Sequence, residues 1–214
     1  MESILFDHVM PQVFEKTEGL QSEVWNKHIT LEKGKNYLIE AHSGKGKSTF
    51  CSYVIGYRHD YAGCILFDQQ DIRSFNIRHW IDIRRHHISY MFQELRLFPE
   101  LTAWENVEIK NNMTKYKSKS EIMSWFEALG IADKTNVQVS KMSFGQQQRV
   151  AMMRALVQPF DFLLADEPIS HLDDMNAKVM QDLMMTEVNK QGAGVIITSI
   201  GKHMPALYDK MIRL

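Results

Sequence analysis

The chain has 214 residues, 44% of them hydrophobic and 24% charged, with a formal net charge of −1. Those proportions suit a globular chain that buries a substantial core, and the length favours one compact domain. The near balance of charge argues against nucleic acid as the main partner, since a general grip on phosphates needs an excess of Lys and Arg.

The first residues, Met1 to Met10, carry Glu2 and Asp7 rather than a basic-then-apolar run, and no stretch of roughly 18 apolar residues occurs. The expectation is therefore no secretory leader and no membrane span. Cys51 and Cys64 stand in no metal-ligand or disulfide spacing. They read as small core residues of a protein in a reducing compartment.

In chain order, short runs rich in branched residues predict strands at Tyr37–Ala41, Cys64–Phe67, Ile88–Phe92, Phe162–Ala165 and Val195–Thr198. Helical spacing appears at Ser48–Tyr57, Gln146–Val157 and Met175–Asn189. Strands and helices thus largely alternate, which predicts a mainly parallel sheet flanked by helices. The exception is Leu95–Gly145, where Trp104–Asn111 and Ser120–Gly130 have helical patterns with no strand between them. That segment reads as a helical insertion, and Lys115–Ser120 within it reads as a solvated loop.

After the strand ending near Glu40 comes Ala41-His42-Ser43-Gly44-Lys45-Gly46-Lys47-Ser48-Thr49, followed by a helix. This is a P-loop in its proper context, although Ala41 stands where the first glycine of the strict pattern belongs. The glycines at 44 and 46 let backbone N–H groups turn toward phosphate oxygens, and the helix directs its positive end at the same anion. The candidate phosphate-binding residues are His42, Ser43, Gly44, Lys45, Gly46, Lys47, Ser48 and Thr49. Lys47 would reach the β- and γ-phosphates, and the Ser48 hydroxyl would serve Mg²⁺. An alanine at position 41 is harmless if its φ is negative and costs about 1 kcal/mol if it is positive.

Downstream, Asp161-Phe162-Leu163-Leu164-Ala165-Asp166-Glu167-Pro168 is an apolar strand ending in two acids, the form of a Walker B element. It places Asp166 at the carboxyl end of the sheet, suited to hold Mg²⁺ through its water shell, and Glu167 beside an attacking water as general base.

Between these elements, Lys141-Met142-Ser143-Phe144-Gly145-Gln146-Gln147-Gln148-Arg149 resembles the signature motif of the ABC ATPases. Gln93, in Tyr90-Met91-Phe92-Gln93, resembles their Q-loop, and Ser170-His171-Leu172-Asp173 their D-loop. With the elements in the family's order, the chain is identified as a member of that family over essentially its whole length. The resemblance implies an α/β fold: a P-loop NTPase, RecA-like core with a mainly parallel sheet, an antiparallel β subdomain in the N-terminal part and an inserted helical subdomain. It implies one cassette over residues 1–214, with core 1–94 and 146–214 and helical subdomain about 95–145.

The resemblance also implies site roles. ATP and Mg²⁺ are the expected ligands. Glu167, Lys47 and Gln93 are the expected catalytic residues, with Ser48, Gln93 and Asp166 at the metal. Two copies would pair head to tail on ATP, so that Ser143, Gly145 and Gln146 of one copy, with Asp173, close over the nucleotide of the other. The adenine-stacking aromatic falls at Val13 or Phe14, of which only Phe14 offers a ring. Two positions depart from the family. Phe144 replaces a signature glycine, either as a core residue or as an interface feature. In Ile197-Thr198-Ser199-Ile200, Ile200 stands in place of the switch histidine, which implies slowed hydrolysis with binding kept. His203 is either a substitute or a solvated loop residue.

The run Phe92 to Val107 resembles small bacterial cassettes of the LolD, MacB and FtsE type, which work beneath separate permease subunits on the cytoplasmic face of the inner membrane. A docking groove is expected near Gln93 to Trp104, with Leu95, Leu97, Phe98 and Trp104 as apolar anchors or as packing within the helical subdomain. The alternative reading is a nucleotide-gated interaction module whose hydrolysis is slow or absent because of Ile200. A third, a soluble ABC ATPase acting on DNA or ribosomes, is disfavoured by the near-neutral charge.

Overall fold

The structure is a computed structural model that describes residues 1–42, 44–169, 172–201 and 208–214. Two sheets organise it. The antiparallel sheet runs β2 (His28–Glu32), β1 (Ser3–Pro11), β4 (Tyr61–Phe67), β5 (Gln70–Asp71). The second runs β6 (Ile88–Met91), β7 (Phe162–Asp166), β8 (Gly194–Ser199), β3 (Asn36–Glu40), β9 (Lys210–Arg213), and its pairings are parallel. The α/β class, the parallel core sheet and the N-terminal antiparallel sheet all match the reading of the sequence.

The period-two geometry of a strand divides the core in two. In β7, Leu163 and Ala165 face one cluster while Phe162 and Leu164 face the other; β8 does the same with Val195 and Ile197 against Ile196. One cluster lies under α3 (Ala103–Asn111), α4 (Lys119–Ala128), α5 (Phe144–Leu156) and α6 (Asp174–Gln191). The other joins the antiparallel sheet to α1 (Lys47–Val54), with Phe6 stacked on Phe50 at 5.0 Å. Because both faces of β7 and β8 are covered, every residue of these strands is buried, which explains the apolar runs that precede Asp166 and Thr198.

Edge strands are less apparent in the sequence. In β9 only Ile212 is buried, and β2 alternates exposed and buried residues. A further helix, α2 (Ile77–Asp82), precedes β6 and is capped by the Asn76 side chain on the His79 N–H.

Between β6 and α5 lie α3 and α4, each opened by a reciprocal capping box: Thr102 with Glu105, and Ser118 with Glu121. The reading of Lys115–Ser120 as a solvated loop holds for its exposed residues up to Ser118, where α4 then begins, but not for Lys117. Lys117 is buried, its Nζ 2.6 Å from the Glu187 carboxylate of α6 and 5.3 Å from the Trp125 ring centre. The Asn111 side chain clasps the Lys117 backbone through both its N–H and its carbonyl. A local reading of composition misses this because Glu187 lies far along the chain. Cys51 is buried as expected, whereas Cys64 is half-buried with Arg73 Nη2 3.1 Å from its sulfur.

Candidate nucleotide-binding site

The site grows from the carboxyl ends of β3 and β7, separated by β8. Beyond β3 the Ala41 N–H donates to the Ser199 carbonyl at 3.1 Å, and Ala41 is not among the residues with positive φ. An alanine at the first position of the loop is therefore unstrained. Gly44 and Gly46 have φ of 81° and 103°, a conformation that L side chains rarely adopt. Gly46 is constrained by space as well, because a Cβ there would lie 2.7 Å from Phe14 Cε2 and 3.2 Å from Trp25 Cζ2. The buried Trp25, which sequence reasoning missed, also sends its Nε1–H toward the Lys45 carbonyl at 3.4 Å. Among the described residues no side chain caps the N-terminus of α1, whose first N–H groups face the loop.

Lys47, the first residue of α1, is 9% exposed; its Nζ lies 3.0 Å from Glu167 Oε1 and donates to the Ala41 carbonyl at 3.3 Å. Glu167 follows β7 with a φ of 49°, and its N–H donates to the Thr198 carbonyl at 3.1 Å. A left-handed conformation is costly for a residue with a Cβ, and here it turns the carboxylate off the strand end toward the P-loop lysine. Both residues line a cavity of about 390 Å³ with Phe14, Gly44, Gly46, Ser48, Gln93 and Ile200.

Asp166 lies one step behind that cavity, 4% exposed. It accepts hydrogen bonds from the Thr198 hydroxyl and, at 3.3 Å, from the Tyr90 hydroxyl. Burial raises its carboxyl pKa above the usual range, and the two hydroxyls oppose that shift. Thr198 and Tyr90 were not anticipated as its partners. A single buried carboxylate, the Ser48 hydroxyl and the Gln93 amide supply hard oxygen donors in small number, a set that suits Mg²⁺, which keeps several waters.

The remaining predicted residues occupy the N-termini of two other helices. Ser143 caps α5, accepting from the Gln146 N–H at 3.4 Å while Gln146 Oε1 accepts from the Ser143 N–H at 3.0 Å. The Ser143 hydroxyl hydrogen stays available to an acceptor, since the cap uses only the oxygen. Gly145 is packed so closely that a Cβ would lie 3.1 Å from Leu172 Cδ2. Phe144 is 46% exposed and so is not a core residue. Asp173 caps α6 by accepting from the Asn176 N–H at 2.9 Å. None of these lines the P-loop cavity of the same copy. Ser43 and His203, and the D-loop residues Ser170 and His171, lie outside the described residues.

Three links tie these helices to the strand ends. Gln148 of α5 donates to the Pro168 carbonyl at 2.5 Å, just beyond Glu167. Arg154 of α5 donates to the carbonyls of Leu95 and Arg96 at 2.7 and 2.8 Å, two residues with positive φ that follow Gln93. Val13 and Phe14 both line the cavity, Phe14 tilted against Trp25 at 6.3 Å and Val13 61% exposed. Of the four expected docking anchors, Leu95 is buried and Leu97 and Trp104 pack on the helical cluster, leaving Phe98 at 49% exposure.

A P-loop on one parallel strand and an acidic pair ending another define the class: a P-loop nucleotide-binding protein. The family model described as "ABC transporter" matches residues 24–170, and the chain belongs to that family. The ABC transporter ATP-binding protein YtrE of Bacillus subtilis is 31% identical over 195 residues, covering 86% of this chain and 84% of that protein. The lipoprotein-releasing system ATP-binding protein LolD of Treponema denticola is 28% identical over 190 residues, covering 87% and 84%. Among solved structures, the dimeric form of MJ0796, described as a bacterial ABC transporter cassette, superposes with a TM-score of 0.83 at 26% identity, covering 99% of this chain and 94% of that one. A second dimeric structure of MJ0796, described as a post-hydrolysis state bound to ADP and Pi, gives 0.79 at 26% identity with the same coverage.

Proposed function

We propose that this chain is the ATP-binding and ATP-hydrolysing subunit of an ABC transporter-type complex, which dimerises on ATP beneath a separate membrane permease. The observation that carries the reading is the meeting of Lys47 and Glu167 across one cavity walled by the P-loop. A triphosphate entering there gives Lys47 a stronger partner than a single carboxylate, through charge-assisted bonds to the β- and γ-phosphates. Glu167, released, orients a water toward the γ-phosphorus and accepts its proton. Mg²⁺, held by Ser48, Gln93 and the water shell of Asp166, supplies charge neutralisation when bound.

The dimeric and ADP-bound relatives support the pairing of two copies. Ser143 and the Gly145 N–H, which lie outside the copy's own cavity, then have a γ-phosphate to meet on the partner. Among the described residues no helix is long and apolar enough to cross a membrane. Phe98, displayed on a loop whose backbone the Asn106 side chain holds at 2.8 and 3.0 Å, is the apolar anchor for that contact. Steady-state ATPase of the isolated chain, and of the chain reconstituted in liposomes with a candidate permease, tests the proposal. Turnover that rises with the permease supports it, and no turnover in either condition refutes it.

One observation favours a second reading. Ile200 lines the cavity at 53% exposure and offers no hydrogen bond to a γ-phosphate or to Glu167. On that reading ATP gates dimerisation and partner binding, and hydrolysis serves only as a slow reset.

A further inference from the structure

The nucleotide cavity has a cation in its wall that belongs neither to the P-loop nor to the acidic pair. Arg58 lies in the turn between α1 and β4, eleven residues beyond Lys47, and it lines the cavity together with Phe14 and Thr49. Its Nη1 is 3.2 Å from Thr49 Oγ1, in the first turn of α1. Nε donates to Asp60 Oδ1 at 2.9 Å and Nη2 to Asp60 Oδ2, so the carboxylate holds the planar fork by one edge.

The turn itself is fixed. The Asp60 carbonyl accepts from the Gln12 N–H at 3.0 Å and from the Tyr53 hydroxyl at 2.9 Å, and Pro11 pairs with Tyr61 between β1 and β4. These bonds set Arg58 beside the turn that carries Val13 and Phe14. The guanidinium thus shares the cavity wall with Phe14, the aromatic candidate for the base, while its Nη1 meets the hydroxyl that follows Ser48. In a nucleotide lying from Phe14 to Lys47, the group that passes between those points is the ribose with its first phosphate.

We propose that Arg58 is a nucleotide-contacting residue, donating from Nη1 to the phosphate nearest the ribose. The inference rests on the P-loop reading above and deepens it. Asp60 keeps the guanidinium pre-oriented, so little side-chain freedom is lost on binding. Because the first phosphate is common to ATP and ADP, Arg58 serves both equally, whereas Lys47 favours the triphosphate.

The test is calorimetric titration of Mg-ATP and Mg-ADP into the parent chain and into Arg58→Gln, Arg58→Lys and Lys47→Ala, at low and high NaCl. Arg58→Gln should weaken ATP and ADP by the same factor, about tenfold for one charge-assisted bond. Arg58→Lys, which keeps the charge and the ion pair with Asp60, should lie between. The salt dependence of affinity should flatten in Arg58→Gln, a change that a purely structural role would not produce. Parent affinity in Arg58→Gln overturns the inference. So does a loss confined to ATP, or an equal loss in Arg58→Lys with an unaltered salt response. If Lys47→Ala binds ATP like the parent, the P-loop reading fails instead, whatever Arg58 does.

Discussion

Lys47 and Glu167, 120 positions apart in the chain, meet at 3.0 Å with both side chains almost wholly buried. Each offsets the charge of the other in the interior. Removing one partner therefore has two consequences, one for the resting protein and one for ligand binding.

Lys47→Ala removes the lysine whose Nζ meets Glu167 in the cavity and should weaken Mg-ATP binding by on the order of a hundredfold or more. It also removes the buried ion pair with Glu167, so the protein should melt at a lower temperature than the parent. Unchanged affinity in a calorimetric titration would remove Lys47 from the phosphate site.

Asp166→Asn should act in opposite directions on stability and on binding. Burial raises the pKa of Asp166 in the fold, so the unfolded chain releases this proton first and stability from this residue falls as pH rises from the ordinary carboxyl range through the raised value. At neutral pH the amide removes that cost. Scanning calorimetry without nucleotide should give a higher melting temperature for Asp166→Asn, and Mg²⁺-dependent ATP binding should weaken. A lower melting temperature contradicts the assignment of burial as the dominant influence.

The parts of this molecule that were legible in the sequence are those whose physics is local. The P-loop declares itself through glycines that need left-handed φ beside a lysine, and β7 and β8 through apolar runs long enough to be buried on both faces. The partners of these elements were not legible. Thr198 and Tyr90 reach Asp166 from two other strands, Trp25 supports the P-loop from outside it, and Arg154 clamps the carbonyls of Leu95 and Arg96 from a distant helix. Lys117 read as a loop lysine because nothing near it announces Glu187. Strand β9, with one buried residue of four, carries too little apolar pattern to be seen.

Ile200 should limit the chemistry. Loss of one preorganised donor to a developing charge costs roughly 3 to 4 kcal/mol of transition-state stabilisation, or about a hundredfold to a thousandfold in rate. Steady-state turnover of Ile200→His should exceed that of the parent by a substantial part of that factor, with ATP affinity nearly unchanged. His203→Ala should lower turnover only if His203 already substitutes. Brisk parent hydrolysis that neither change alters would show that Glu167 and Lys47 suffice.

The measurement closest to the central claim is the oligomeric state of Glu167→Gln with and without ATP, by gel filtration with light scattering. The amide keeps the shape of the side chain, loses the base and no longer holds Lys47 by charge, so ATP should bind at least as tightly as in the parent and remain uncleaved. The account predicts a monomer without nucleotide and a stable dimer with ATP, sandwiching it between the P-loop of one copy and Ser143 and Gly145 of the other. A variant that binds ATP fully and stays monomeric, or that hydrolyses it at the parent rate, contradicts the account.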